Sequence, residues 1–166
     1  MDVKLVKATK SDRVKIDNLW HYYIYDMSEY MRWNVAENGS YSNDVTPLDE
    51  YWLRDDHYPF LIYCDGELAG FSLLRKYPAD DSLFDIGQFF ILRKFKRTGI
   101  GLKAFQLSVG LYPGQWLTRV LKGNTGASQF WTSVIGKVTG NQYQLTIEKY
   151  GEVDMHFIRY EISNAK

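Results

Sequence analysis

Apolar residues recur along this chain with two periods, and the switches between them mark out its elements. Val3-Lys4-Leu5-Val6-Lys7-Ala8 reads as a short strand. Thr9 stands three residues before Asp12, a capping-box arrangement at a helix start. Helical spacing then runs through Ile16, Leu19, Trp20, Tyr23, Ile24, Met27, Tyr30 and Met31. That fits one long helix or two broken near Asp26-Met27-Ser28. Residues 36–50, with Asn38-Gly39-Ser40 and Thr46-Pro47, read as a loop, and Leu48 to Trp52 as a short helix. Phe60 to Cys64 and Leu68 to Leu74 flank Asp65-Gly66, which predicts a β-hairpin because Asp-Gly accepts positive φ. Tyr77 to Asp81 is a turn into a strand over Leu83–Leu92. A helix follows Gly99-Ile100-Gly101 and ends near Gly110 or Pro113-Gly114, Trp116–Leu121 is a strand, and Thr125–Val138 is a helix. Gln142–Tyr150 and Val153–Ile162 pair as a last hairpin around Gly151. No internal repeat, linker or low-complexity tail interrupts this order.

Composition adds limits. A chain of 166 residues builds one domain with a real core and is short for two, so residues 1–166 are read as a single domain. The lone cysteine, Cys64, lies inside a predicted strand and is expected to be a small core residue. The opening residues lack a charged-then-apolar leader, and no apolar run reaches the ~20 residues of a membrane span. A cytoplasmic protein with no membrane partner is the expectation. The formal net charge is zero, yet residues 1–85 carry 16 Asp/Glu against 9 Lys/Arg, and residues 86–147 carry 8 Lys/Arg and no acid. An anionic ligand bound beside a cationic one suits that division. So does a mere partition of charge over solvated faces. Nucleic acid is a weaker candidate, since the basic residues are interrupted by apolar runs.

The candidate chemistry lies in Phe89-Phe90-Ile91-Leu92, then Arg93, Lys94, Lys96 and Arg97, then Thr98-Gly99-Ile100-Gly101. A strand, a basic glycine loop and a helix start together make an anion site. Glycines let backbone approach a ligand, and the first helix amides lack intrahelical partners. A Gly-x-Gly here is also simply a turn in many proteins. Gly99-x-Gly101-x-x-Ala104 fits the dinucleotide fingerprint formally, but that motif needs an acid about 20 residues on. None occurs between Asp85 and Glu148. The nucleotide loop ending in Gly-Lys-Ser/Thr is absent too.

Lys96-Arg97-Thr98-Gly99-Ile100-Gly101 instead resembles the Gln/Arg-x-x-Gly-x-Gly/Ala loop of the GCN5-related N-acetyltransferase (GNAT) family, with Lys96 in place of Arg or Gln. Asn124-Thr125-Gly126-Ala127-Ser128-Gln129-Phe130-Trp131 resembles its Asn-x-x-Ala-x-x-apolar-aromatic motif. The resemblance implies the α/β acetyltransferase fold, a mixed, mostly antiparallel twisted sheet of six to seven strands flanked by about four helices. It implies acetyl-CoA as cosubstrate, no metal, and transfer of the acetyl group to a primary amine of a small molecule or peptide. The diphosphate would sit on Lys96, Arg97, Thr98, Gly99, Ile100 and Gly101. The pantetheine arm would run along Phe89, Phe90 and Ile91, with Asn124, Ala127 and Trp131 beside it. A homodimer is compatible, since paired subunits are common in the family.

For the chemical step, the resemblance puts a backbone N–H at Phe90 or Ile91 on the thioester carbonyl and a carboxylate midway along the same strand. Gln88 and Gly87 stand at that place, and Asp85 is the nearest acid. His21, His57 and the tyrosines of the first helix are further candidates. Trp131 occupies the position where relatives carry a tyrosine acid, and indole cannot ionise as phenol does. Tyr23, Asp26, Glu29 and Tyr30 fall where the family builds its acceptor side, with Asp49, Glu50, Asp55 and Asp56 nearby, which predicts a cationic acceptor. A non-catalytic acyl-CoA sensor is the alternative, and a nucleic-acid-binding module a more distant one.

Overall fold

The computed structural model describes residues 1–41 and 48–164, so the Thr46-Pro47 part of the predicted loop lies outside the described residues. In chain order the elements are β1 Val3–Lys7, α1 Arg13–Met31, α2 Glu50–Leu53, β2 His57–Cys64, β3 Glu67–Tyr77, β4 Asp80–Ile91, α3 Ile100–Gly110, β5 Gly114–Leu121, α4 Thr125–Thr139, β6 Tyr143–Tyr150 and β7 Val153–Ile162. Single 3-10 turns precede α1 at Lys10–Asp12 and α3 at Arg93–Phe95. The strands form one seven-stranded sheet in the order β1-β2-β3-β4-β5-β7-β6. Every neighbouring pair is antiparallel except β4 and β5.

The local signals act as physical chemistry requires. Asp12 accepts from both the amide and the hydroxyl of Thr9, at 3.0 and 2.9 Å, and opens the first helix. That helix runs unbroken past Asp26-Met27-Ser28 and stops where Arg32 takes φ +55° and returns its amide to the Ser28 carbonyl. Asp65 and Gly66 both take positive φ, the turn that joins β2 to β3. Cys64 is buried among Val3, Ile62 and Ala69, as a core residue should be.

Helices α3 and α4 cover one face of the sheet, where Phe105, Val109, Trp131, Val134 and Ile135 pack on Ile86, Trp116, Val120, Ile158 and Tyr160. Helices α1 and α2 cover the other, where Ile16, Leu19 and Tyr51 pack on Leu61, Phe71, Leu73 and Phe90. Burial on both faces explains the near-continuous apolar runs of β2 and β3. Gly101 sits where α3 meets α4, and a Cβ there would lie 2.9 Å from the Phe130 ring.

Two features of β4 shape the site. Leu73 pairs with Gln88 and Leu74 with Ile86, so Gly87 is an extra residue in the ladder, a bulge. A Cβ on Gly87 would lie 2.3 Å from the Tyr51 hydroxyl, so only glycine fits. On its other side β4 pairs with β5 only through Phe84–Trp116 and Asp85–Leu117. Beyond that point the two parallel strands part.

A buried clamp marks the point of parting. Asp85 Oδ2 accepts from Arg75 Nε of β3 at 2.9 Å and from Arg119 Nη2 of β5 at 3.0 Å. The Asp85 side chain is 0% exposed and those of Arg75 and Arg119 are 12% and 7% exposed. The Arg119 guanidinium also lies 4.5 Å from the Tyr150 ring centre. Burial works against the Arg119 charge, and Asp85 together with Tyr150 outweighs it, holding the group above its ordinary value.

Removing Asp85 therefore strands two buried cations. Asp85→Asn is expected to cost about 3–5 kcal/mol in urea unfolding, and a loss under about 1 kcal/mol would show that the clamp bears no such strain. Gly101→Ala is expected to cost about 1–3 kcal/mol through crowding of Phe130, and Phe130→Ala in the same chain should remove that added cost.

Candidate functional site

The parted strands leave a gap lined by backbone. The Leu92 amide donates to the Ala69 carbonyl of β3 at 2.8 Å. Alternation along the strand, with Phe71 opposite Phe90 in the next hydrogen-bonded pair, then turns Phe90 toward β3 and Phe89 and Ile91 into the gap. The N–H expected at Phe90 or Ile91 thus falls to Ile91, together with Phe89. The Phe90 amide is directed to the ladder, where Phe90 pairs with Phe71.

The glycine loop stands at the open end of the gap. Arg97 and Gly99 take φ +63° and +90°, folding residues 96–99 back into the start of α3. The first α3 hydrogen bond runs from the Lys103 amide to the Gly99 carbonyl at 3.2 Å. Among the described residues nothing accepts from the amides of Arg97, Thr98, Gly99, Ile100, Gly101 or Leu102. Six consecutive unbonded donors at a helix start form an anion cradle. Arg97 and Lys103 have no ion-pair partner among the described residues, whereas Arg93 and Lys96 pair with Asp26 at 2.5 and 3.7 Å and Lys94 with Glu67 at 2.5 Å. Lys103 was not singled out in the sequence, although one helical turn from Gly99 is signal enough. The partial neutralisation of Arg93, Lys94 and Lys96 also breaks up the basic half that suggested nucleic acid.

On the α3/α4 side the two sequence motifs converge. Phe89 of β4 stacks on Phe130 and meets Trp131 edge-on, with ring centres 6.1 and 5.2 Å apart. Trp131 also meets Phe105 at 5.7 Å and is buried. It forms an aromatic wall beside the gap. Asn124 caps α4, its Oδ1 accepting from the Ala127 amide at 3.0 Å, and its NH2 has no partner among the described residues.

On the α1 side, Tyr23 packs against Trp20, Phe71 and Phe90, and its hydroxyl donates to Gln88 Oε1 at 2.5 Å. Burial pushes the Tyr23 hydroxyl far above its usual range, with Arg119 opposing, so it stays a donor. Gln88 lies one residue past the bulge with its amide polarity set by that bond. Asp85, named as a candidate acid, has no exposed surface and is committed to the Arg75–Arg119 clamp, out of reach of an incoming amine. His57 is buried beside α2, its Nδ1 2.7 Å from Asp56, and His21 is exposed on α1.

The acids expected around an acceptor divide. Asp49 pairs with Arg13, Asp56 with Arg54 and His57, and Glu50 lies 3.4 Å from His57, all beside α2. Asp26 holds the loop cations instead of facing solvent. Glu29 and Tyr30 do line a cleft of about 650 Å³, together with Met31, Arg32, Leu121, Lys122, Gly123, Val153 and Asp154. Three chain segments far apart in sequence build it, so no local pattern could have announced it. Among the described residues no group of three His, Cys, Asp or Glu is placed to hold a metal, and no helix is long and apolar enough to cross a membrane.

Known proteins with this arrangement can be named. No curated protein sequence matches the chain. An acetyltransferase from Thermus thermophilus superposes with a TM-score of 0.68 at 16% identity, covering 98% of each chain. A ribosomal alpha-N-protein acetyltransferase in complex with coenzyme A gives 0.64 at 16% identity, covering 98% of this chain and 96% of that one. A putative streptothricin acetyltransferase from Bacillus anthracis str. Ames in complex with acetyl coenzyme A gives 0.56 at 13% identity, covering 99% and 100%. Likeness at these identities is a likeness of fold. The sequence profile of the acetyltransferase (GNAT) family matches residues 20–136, from the middle of α1 to near the end of α4, and so takes in both motifs and the gap between β4 and β5. On that match the chain belongs to the GNAT acetyltransferase family.

Proposed function

We propose that this protein is an acetyl-CoA-dependent N-acetyltransferase that moves the acetyl group to a primary amine by direct attack on the thioester. The observation that carries the reading is the run of six unbonded amides, Arg97 to Leu102, placed at the mouth of the gap between β4 and β5. The diphosphate of the cosubstrate lies on these amides, with Arg97 and Lys103 as free cations and Lys96 behind them. The pantetheine arm enters the gap as an added strand and bonds the exposed edges of Phe89 and Ile91. Asn124 offers its NH2 to the arm, and Ala127 and Trp131 flank it. That two structural neighbours were solved with coenzyme A or acetyl coenzyme A supports the same ligand here.

The chemical step then asks the chain mainly for positioning. The amine nitrogen forms a bond to the carbonyl carbon, the C–S bond breaks, and the proton the nitrogen sheds passes to the departing thiolate or to solvent. A free N–H of β4 stabilises the carbonyl oxygen as charge grows on it. Gln88, held by Tyr23, presents its NH2 beside the bulge and adds a second donor there. With Asp85 committed to two guanidiniums and tryptophan at position 131, no side chain next to the gap among the described residues stands ready as general base or acid. The amine is therefore taken in its neutral form. A second reading, a non-catalytic acyl-CoA sensor, is favoured by the same Trp131, and it differs in giving binding without transfer.

Coenzyme A at about 100 times its Kd should stabilise the fold by about 2.7 kcal/mol, raising Tm by about 5–10 °C. Arg97→Glu should weaken coenzyme A at least about tenfold while leaving the Tm of the free protein nearly unchanged. No Tm shift with millimolar coenzyme A would remove the reading. Where transfer is measured, kcat/KM should climb with pH and level off at the pKa of the acceptor amine itself. A plateau fixed at one pH for amines of different basicity would instead point to an ionising group of the protein.

A further inference from the structure

Strand β4 changes sides in mid-course. Ile86 packs in the core under α3 and α4, and Phe90 in the core under α1 and α2. Side chains of an unbroken strand alternate, so residues at these two positions would share one face. The extra residue at Gly87 is what separates them. It puts Gln88 on the side of Tyr23 and turns Phe89 and Ile91 toward the gap. A slip of one residue would exchange these roles. A bulge interrupts the ladder, so its neighbours must hold it in shape. A Cβ on Gly87 would run into the hydroxyl of Tyr51, from α2, and would also lie 3.1 Å from the Leu73 carbonyl oxygen and 3.4 Å from Arg75 Nε. The hydroxyl thus fills the place of the missing side chain. It donates to the carbonyl of Leu73, the residue across from the bulge, at 3.4 Å. Tyr51 is buried and its ring meets His57 edge-on at 4.8 Å, which fixes where the hydroxyl sits. Burial pushes that hydroxyl far above its usual range, so it remains a donor.

We propose that Tyr51 is a positioning residue for acyl transfer: its hydroxyl, seated in the Gly87 bulge, holds the register that aims Gln88 and the amides of Phe89 and Ile91 at the thioester. This rests on the acetyltransferase reading above. Tyr51 acts through β4 and does not touch the ligand. The Arg75–Asp85 pair fixes β4 just before Gly87, and Tyr23 takes the Gln88 side chain just after it. Tyr51 meets the bulge itself. Without its hydroxyl the strand would turn on Gly87, whose backbone has the widest freedom of any residue. A misplacement of about 1 Å at a reacting centre can cost about a hundredfold in rate. The amides of residues 97–102 stand apart from the bulge, so coenzyme A binding does not depend on Tyr51.

The test reads the carbonyl of acetyl-CoA, isotope-labelled at that carbon, by difference infrared spectroscopy, which needs no acceptor. Bound to the native protein, the carbonyl band should fall below its frequency in free acetyl-CoA, because donors on the oxygen polarise the C=O bond. Tyr51→Phe keeps the ring and removes the donor. It should return the band most of the way to the free frequency and leave the coenzyme A Tm shift intact. Where transfer is measured, it should lower kcat about tenfold with the KM for acetyl-CoA within about twofold. A band unmoved by Tyr51→Phe would overturn the proposal, as would a native complex whose band stays at the free frequency. Loss of the coenzyme A Tm shift in the variant alone would overturn it too, by making Tyr51 a residue of the fold. Absence of that shift in the native protein is a different failure, that of the acetyltransferase reading, and the proposal falls with it.

Discussion

The structure depends on where β4 lets go of β5. Two residue pairs hold the strands together, Phe84 with Trp116 and Asp85 with Leu117, and past them the sheet opens. A gap in a sheet exposes unpaired backbone on both sides, which is unfavourable unless its edges are fixed by other means. Here Asp85 ties β3, β4 and β5 through Arg75 and Arg119, and Phe89 leans on the α4 aromatics. The clamp and the aromatic wall together let the gap exist without collapsing into a ladder.

Everything assigned to function borders that gap. Its mouth is the glycine loop, its far wall is β5 and α4, and its α1 side is closed by Tyr23 and Gln88. Asp26 links the loop to the cleft at the end of α1, since it holds Arg93 and Lys96 from the same helix whose Glu29 and Tyr30 line that cleft.

The elements were legible because each carries a local cause: Thr9-Asp12 at the helix start, Asp65-Gly66 at the hairpin, and the change of period at Gly99-Ile100-Gly101. The loop was legible as well, since a basic glycine stretch between strand and helix has few uses. The pairing of the charges was not legible. Asp26, Asp49 and Asp56 read as an acidic acceptor wall, but their partners, Arg93, Arg13 and Arg54, include residues 67 and 36 positions away, and pairing at such distance leaves no mark in sequence. The bulge at Gly87 was hidden for a related reason. A glycine in a strand marks a bulge or a close approach alike. Only the Tyr51 hydroxyl above it and the shifted register decide which. The direction of the Phe90 amide needed that register too.

The central claim is that the amides of residues 97–102 and of Phe89 and Ile91 are the ones coenzyme A takes up. Backbone amide NMR during titration with coenzyme A reads them one by one. The account predicts that the largest shifts fall on Arg97 to Leu102, Phe89 and Ile91, with Phe90 nearly still. Shifts concentrated elsewhere, or a Phe90 amide that moves while its two neighbours do not, would contradict it.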